Sequence, residues 1–225
     1  MSRVLLVGRG RMARLVESLC PEYEFEVAGL IDRASSARDA DWPDADVAID
    51  FSIADAVPRN LPRLAARGLP VVIGTTGWHA HEEALRGDPA VGRIGVVAAP
   101  NFALGVNILL AIAERAGELL APHASFGAWI HEAHHAAKRD APSGTALAID
   151  AALRRGGYAR GVDVAFTRAG SIPGTHTLGF DAAAETLTFT HQARDRSAFA
   201  RGALEAARWV IGRRGWFTMR DVLGL

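Results

Sequence analysis

Gly8-Arg-Gly-Arg-Met-Ala13 stands between a short apolar run, Arg3-Val-Leu-Leu-Val7, and a helical spacing of Met12, Leu15, Val16 and Leu19. A strand, a glycine turn and a helix in that order leave few folds open to the chain. The first glycine permits a tight turn and the second lets backbone approach a pyrophosphate, while Ala13 still allows close helix–strand packing. N–H groups at the helix start then face the phosphates. Pro21 ends the helix, and Glu26-Val-Ala-Gly-Leu-Ile31 reads as a second strand running into Asp32, 24 residues after Gly8. A carboxylate there accepts hydrogen bonds from ribose hydroxyls. Arg33 beside it offers a counter-charge to a 2′-phosphate, so NADH and NADPH are both expected as ligands. The alternative is a glycine turn used for packing alone.

The same texture recurs. Val47-Ala-Ile-Asp-Phe51, Val71-Val-Ile73 and Ile94-Gly-Val-Val97 read as strands, the last two leading into Gly74-Thr-Thr-Gly77 and Pro100-Asn101. Such continuous apolar runs suit a parallel sheet covered on both faces. Residues 54–66 look helical, but Pro58 and Pro62 predict a short or irregular helix. From about residue 104 the pattern changes. A long apolar helix over 104–120 is stopped by Pro122, and a strand over 126–130 leads into a loop rich in charge and histidine. A helix from about Gly144 to Leu153 follows, then strand-like runs at 162–168, 175–180 and 186–191. In the last of these Leu187, Phe189 and His191 alternate with Thr186, Thr188 and Thr190. A final helix, about Ala198 to Ile211, presents Phe199, Ala203, Ala206, Ala207 and Val210 on one face. The expected fold class is α/β: a Rossmann-like parallel-sheet nucleotide domain with a second, mixed α+β domain.

Composition narrows the function. The chain has 225 residues, 49% of them apolar and 22% charged, with 25 basic against 25 acidic side chains. A net charge of zero argues against a nucleic-acid partner, whose phosphates call for surplus cations. The apolar content argues against disorder. No run of 18 apolar residues is present, so no membrane span is expected. Nothing in Met1-Ser2-Arg3 resembles a cleaved signal, and Cys20 is the only cysteine; a reducing cytoplasm is the expected setting. Lys138 is the only lysine among the 25 basic residues. It marks either a chance survivor or a place where a compact ammonium serves and a planar guanidinium does not.

Residues 131–135, His-Glu-Ala-His-His, satisfy the H-E-x-x-H pattern of zinc proteases. That chemistry needs both histidines on one face of a helix, whereas the preceding segment is strand-like and Pro142-Ser-Gly144 makes the following stretch a loop. The next glutamate is Glu185, so no metal is expected. The whole stretch Glu132-Ala-His-His-Ala-Ala-Lys-Arg-Asp-Ala-Pro-Ser-Gly-Thr-Ala146 supports a different reading. Three of the eight histidines fall within 131–135, and imidazole is the side chain best poised to move protons near neutrality. Lys138 offers a cation or a proton, and the N–H groups of Gly144 and Thr145 at a helix start offer a carboxylate cradle. Together they suit a small dianionic substrate that must be protonated; the alternative is a solvated polar loop.

This stretch resembles the signature of the 4-hydroxy-tetrahydrodipicolinate reductase family, also called dihydrodipicolinate reductases. Gly74-Thr-Thr-Gly-Trp78, Ala99-Pro-Asn-Phe102 with Gly105-Val-Asn107, the run from Arg168 to His176, and the ending Gly215 to Leu223 are similar to family segments in the same order. Two features depart from the family pattern: the phosphate loop is one residue shorter and ends in Ala13, and the stretch between Asp32 and Val47 is brief.

The resemblance implies hydride transfer from NADH or NADPH to C4 of a dicarboxylate heterocycle, with loss of its 4-hydroxyl as water and protonation of the neighbouring carbon. The product is tetrahydrodipicolinate, in the diaminopimelate route to lysine. It also implies roles by motif position. His134 is the general acid, Lys138 assists protonation or holds a carboxylate, and His135 binds substrate. Gly144 and Thr145 take a carboxylate, and His176 lines the same pocket. Gly8, Arg9, Gly10, Arg11 and Met12, with Asp32, bind the cofactor, and Gly74, Thr75, Thr76, Ala99, Pro100, Asn101 and Phe102 cover its nicotinamide half. Residues 1–104 and 200–225 are then the dinucleotide-binding domain. Residues 105–199 form the substrate and oligomerisation domain of a homotetramer, with strands pairing between subunits. Two rival readings are an amino-acid dehydrogenase acting on aspartate, which leaves 132–146 unexplained, and a non-catalytic NAD(H)-binding regulator, which has no use for His134, His135 and Lys138.

Overall fold

Short apolar runs broken by glycine and proline become strands, and the amphipathic stretches between them become the covering helices. The structure, a computed structural model, describes residues 1–33 and 42–225, so most of the brief stretch after Asp32 lies outside the described residues. In chain order the elements are β1 (Ser2–Val7), α1 (Arg11–Leu19), β2 (Phe25–Ile31), β3 (Val47–Asp50), α2 (Val57–Ala66), β4 (Val71–Ile73), α3 (Glu82–Arg86) and β5 (Gly95–Ala98). Then come α4 (Leu104–Leu120), β6 (Gly127–His134), α5 (Gly144–Arg155), β7 (Val162–Arg168), β8 (Thr175–Ala182) and β9 (Glu185–Gln192). The chain ends with α6 (Ser197–Val210), β10 (Gly215–Phe217) and α7 (Met219–Leu223). Contacts divide it into two units, Met1–Ala103 with Ser197–Leu225, and Leu104–Arg196.

The first unit is a six-stranded parallel sheet in the order β10-β5-β4-β3-β1-β2. Buried on both faces, β1 and β3 to β5 are continuous apolar runs, which is why they are legible as strands. The order reverses where β1 lies between β2 and β3, and in open α/β sheets the crevice beyond the strand ends at such a point is where ligands bind. Of the expected stretch 54–66, Ala54–Ala56 forms a 3-10 turn and α2 begins at Val57, a short helix that nonetheless runs unbroken through Pro62. Pro58 sits in its first turn, where no N–H is needed, and Leu61, Leu64 and Ala65 bury its apolar face. Helix α6 brings small residues, Ala200, Ala203, Ala206 and Ala207, close against the sheet and α1. Cys20 is buried there, and burial pushes its thiol up to about 11, so it packs as a neutral side chain.

The second unit is a four-stranded mixed sheet, β7-β6-β8-β9, with α4 and α5 on one face. Ile130, Leu178 and Phe180 point into that core, the last edge-on to Tyr158; burying a side chain of this size contributes about 1.5–3 kcal/mol. The C-terminal carbonyls of α4, which lack partners within the helix, are closed by Arg160. Its guanidinium donates to Leu120 O at 3.0 Å, Ala121 O at 2.9 Å and His123 O at 3.1 Å. Leu187, Phe189 and His191 take the inward side of β9, in register with Phe180, Leu178 and His176. One expectation fails: the strand expected over 126–130 runs on to His134, pairing with β7 and β8, where a charged loop was expected. Its inward residues at that end are Glu132 and His134, so the pleat continues without an apolar signal.

Candidate functional site

In the first unit, Gly8 carries the turn from β1 into α1. Its φ is +104°, and a Cβ there would stand 2.5 Å from the carbonyl oxygen of Phe51. Gly10 is the N-cap of α1 without a side-chain cap, and nothing lies within 4 Å of the place its Cβ would occupy. The first N–H groups of the helix have no intrahelical partners, so this open space suits a phosphate. A cavity of about 820 Å³ opens here, walled by Gly8, Arg9, Gly10, Asp32 and Arg33. Arg9 Nη1 lies 3.4 Å from Asp32 Oδ2. Arg11 and Met12 open α1 without lining the cavity, whereas Arg59 and Arg63 of α2 do line it. These two arginines were missed, because i, i+4 cations on a helix usually read as a solvated face.

The ends of β3 and β4 are braced by Asp50, which motif reading also missed. Its Oδ1 accepts from the Ser52 N–H at 2.8 Å, the Ser52 hydroxyl at 2.6 Å and the Thr75 hydroxyl at 2.7 Å. Burial pushes this carboxyl above its ordinary range, and those bonds only partly offset it. The Thr75 hydroxyl is thus committed to a brace. Thr75, Ala99 and Pro100 also line a small cavity of about 130 Å³ beside Trp78 and Trp216. Gly74 packs against the Phe51 ring, Thr76 is exposed, and the Asn101 side chain accepts from the Ala103 N–H. Phe102 is core, 2% exposed and edge-on to Phe51.

In the second unit, register brings together residues distant in sequence. Glu132 on β6 pairs with His176 on β8, and His134 with Arg168 on β7. Glu132 is fully buried; its Oε1 accepts from Arg168 Nη2 at 2.7 Å and from the Ser143 N–H at 2.8 Å. Its Oε2 lies 2.9 Å from His134 Nδ1 and 3.7 Å from His176 Nε2. Burial alone would raise the Glu132 carboxyl, but the bonds from Arg168 and Ser143 more than offset it and hold the group below its usual range. Burial pushes His134 down, opposed by Glu132, and pushes His176 down to about 4 with help from His134. Both rings are therefore neutral at pH 7. The Ser143 hydroxyl, N-cap of α5, accepts from the Ala146 N–H and lies 3.2 Å from His176 Nε2, the tautomer of that ring deciding which of the two donates.

The imidazole pair is thus His134 with His176, ring centroids 5.0 Å apart, where sequence adjacency points to His134 with His135. His135 is half-buried just beyond β6. Lys138 donates to both oxygens of Asp140 at 2.7 Å, and its charge depresses both His134 and His176. Beside Gly144, at the start of α5, space is open where a Cβ would stand. Glu132 and Arg168 were missed; a buried charge on an alternating strand leaves no mark in composition, and only the register with β7 reveals the pair. The donor atoms of Glu132, His134 and His176 lie within 4.8 Å of one another, but Arg168 on the same carboxylate repels a second cation. The H-E-x-x-H run lies on a strand, with His131 turned to Thr167 at 3.2 Å, so it lacks the helical face that zinc chemistry requires.

Residues 2–102 match a family model described as dihydrodipicolinate reductase, N-terminus, and residues 105–223 its C-terminal counterpart. The chain is 44% identical to 4-hydroxy-tetrahydrodipicolinate reductase of Acidiphilium cryptum (strain JF-5), over 96% of this chain and 94% of that one. It is 35% identical to that of Methanoregula boonei, over 100% and 99%. Among solved structures, dipicolinate-bound dihydrodipicolinate reductase from Paenisporosarcina sp. TG-14 covers 97% of each chain with a TM-score of 0.76 at 20% identity, a likeness of fold. Among the described residues no helix is long and apolar enough to cross a membrane.

Proposed function

The chain belongs to the dihydrodipicolinate reductase family, and from that premise we propose how its own residues carry the reaction. The reaction is the NAD(P)H-dependent reduction of 4-hydroxy-tetrahydrodipicolinate to tetrahydrodipicolinate in lysine biosynthesis. A bound nicotinamide supplies the hydride that reduces C4. The open space at Gly10 and the cavity beside Asp32 fit the dinucleotide, its pyrophosphate on the start of α1 and its adenosine ribose on Asp32. Gly74, Thr75, Thr76, Ala99, Pro100, Asn101 and Phe102 shape the nicotinamide side, Phe102 from within the core. Asp32 with Arg33 supports use of both NADH and NADPH. Asp32→Ala is expected to weaken NADH more than NADPH, read by fluorescence titration; equal loss for both removes the ribose role.

One substrate carboxylate is held by the N–H groups of Gly144 and Thr145, with His135 and Lys138 as further contacts. His134 delivers the proton to the carbon next to C4. The observation that carries this assignment is the buried imidazole of His134 set between Glu132 and cationic neighbours, in the unit whose α5 start offers an anion cradle. Burial keeps His134 neutral in the free protein. A dianionic substrate favours the charged ring, so binding raises its pKa and draws in the proton to be used. Activity that depends on protonated His134 is full at low pH and is lost as pH rises through the pKa of the complex. Assay with freshly made substrate and either nucleotide tests the assignment. Absence of nucleotide oxidation there, with activity on aspartate, overturns it in favour of an amino-acid dehydrogenase.

Lys138 is held by both Asp140 oxygens, a seat that fits an ammonium. Lys138→Arg is expected to lower kcat about 10²-fold with nucleotide affinity unchanged. Wild-type turnover in that variant removes the special role of the lone lysine. The outer strands β7 and β9 leave sheet edges that another copy can cover, which supports a homotetramer.

A further inference from the structure

Glu132 is 0% exposed, and holding Ser143 and Arg168 accounts for only one of its oxygens. Oε2 accepts no hydrogen bond from either. It lies instead beside the imidazoles, 2.9 Å from His134 Nδ1 and 3.7 Å from His176 Nε2, close enough for charge to act but without hydrogen-bond geometry to either ring. A carboxylate kept charged in a protein interior is costly, and a tether for Ser143 and Arg168 alone would not require the second oxygen to be aimed at a ring. On the other side of that ring stands Gly174, at φ +141°, where a Cβ would come within 3.2 Å of His134 Nε2. The two ring nitrogens are thus treated oppositely: one is set against a carboxylate, and the other is left clear of any side chain at position 174.

We propose that Glu132 is the positioning residue for His134: its Oε2 stands beside Nδ1 as a counter-ion, draws the Nδ1 side of the ring toward itself once the imidazolium forms, and leaves Nε2 to carry the proton given to substrate. The idea rests on His134 being the general acid. The proton lost from Nε2 becomes the new C–H bond of the product, and the ring returns to its neutral form with Nδ1 still beside Glu132. The other groups facing His134 oppose or support this charge. Arg168 on β7 and Lys138 disfavour the cation and Asp140 favours it, while His176 on β8, which His134 and His191 on β9 both depress, faces the ring as a neutral group. Glu132 is the nearest anion and the strongest support for the cation, set against burial, which still outweighs it in the free protein.

The test is the pH dependence of kcat, at saturating substrate and NADH, for Glu132→Gln and Glu132→Asp. The neutral variant is expected to keep KM within about threefold while kcat falls about 10²-fold. The alkaline limb, where protonated His134 is lost, is expected to move down by about one pH unit or more. The aspartate variant, whose carboxylate is drawn back by one methylene, is expected to show a smaller shift in the same direction and to recover part of kcat. It serves alone if the glutamine variant does not fold. An unmoved limb in whichever variants fold overturns the proposal, because a purely structural loss scales kcat without moving a pKa. His134→Gln, measured alongside, separates two failures. If it is inactive while the limb stays put, only the role of Glu132 falls; if it is active, the general acid itself is misassigned.

Discussion

His134→Gln is expected to lower kcat about 10³-fold while NADH binds as tightly as before. His134 belongs to the second unit and the residues lining the cavity of about 820 Å³ to the first, so affinity for nucleotide serves as the control for a loss confined to the chemistry. Glutamine retains a polar side chain that can accept or donate near Glu132, which limits the structural cost at a position 8% exposed. What it lacks is a group that exchanges a proton near neutrality. Hydride delivery then meets a carbon skeleton that must take its proton from water. Turnover within a few-fold of wild type would remove His134 from the chemistry, whatever its place in the cluster.

Gly8→Ala is expected to destabilise the first unit by roughly 2–4 kcal/mol and to weaken nucleotide binding more than about 10²-fold. Two effects add. The backbone at φ +104° is one that side chains rarely adopt, and the new methyl would stand 2.5 Å from the Phe51 carbonyl oxygen. Neither segment is free to step aside: Gly8 N–H donates to Ile31 O at 2.8 Å, and Phe51 N–H donates to Val7 O at 2.9 Å. Relief therefore requires parting β1 from β2 or β3, at the crevice proposed to take the phosphates. Urea unfolding followed by Trp fluorescence reads the first effect and NADH titration the second. Wild-type values in both would show that the turn tolerates a side chain.

The first unit was legible because its strands are buried on both faces and therefore apolar throughout, as Val4 to Val7 and Val71 to Ile73 illustrate. Strand β10, only Gly215–Phe217, is too short to announce itself, though it supplies the sixth strand. In the second unit the half of β6 that matters most for function was hidden. Its inward residues, Glu132 and His134, are polar, so alternation of apolarity stops while alternation of the pleat goes on. His134, Lys138 and Gly144 stand out as candidates from local motif chemistry alone. Arg168 and His176 reach Glu132 across strand pairings 36 and 44 positions apart in sequence, which no local window contains.

Ser143 belongs to two circuits at once. Its hydroxyl caps the N-terminus of α5 beside the amides of Gly144 and Thr145 and also touches the His176 ring, while its own N–H is fastened to Glu132. One residue thus ties the start of a helix to the cluster on the sheet, so that displacing α5 by a single turn would disturb the buried carboxylate and the neighbouring ring together.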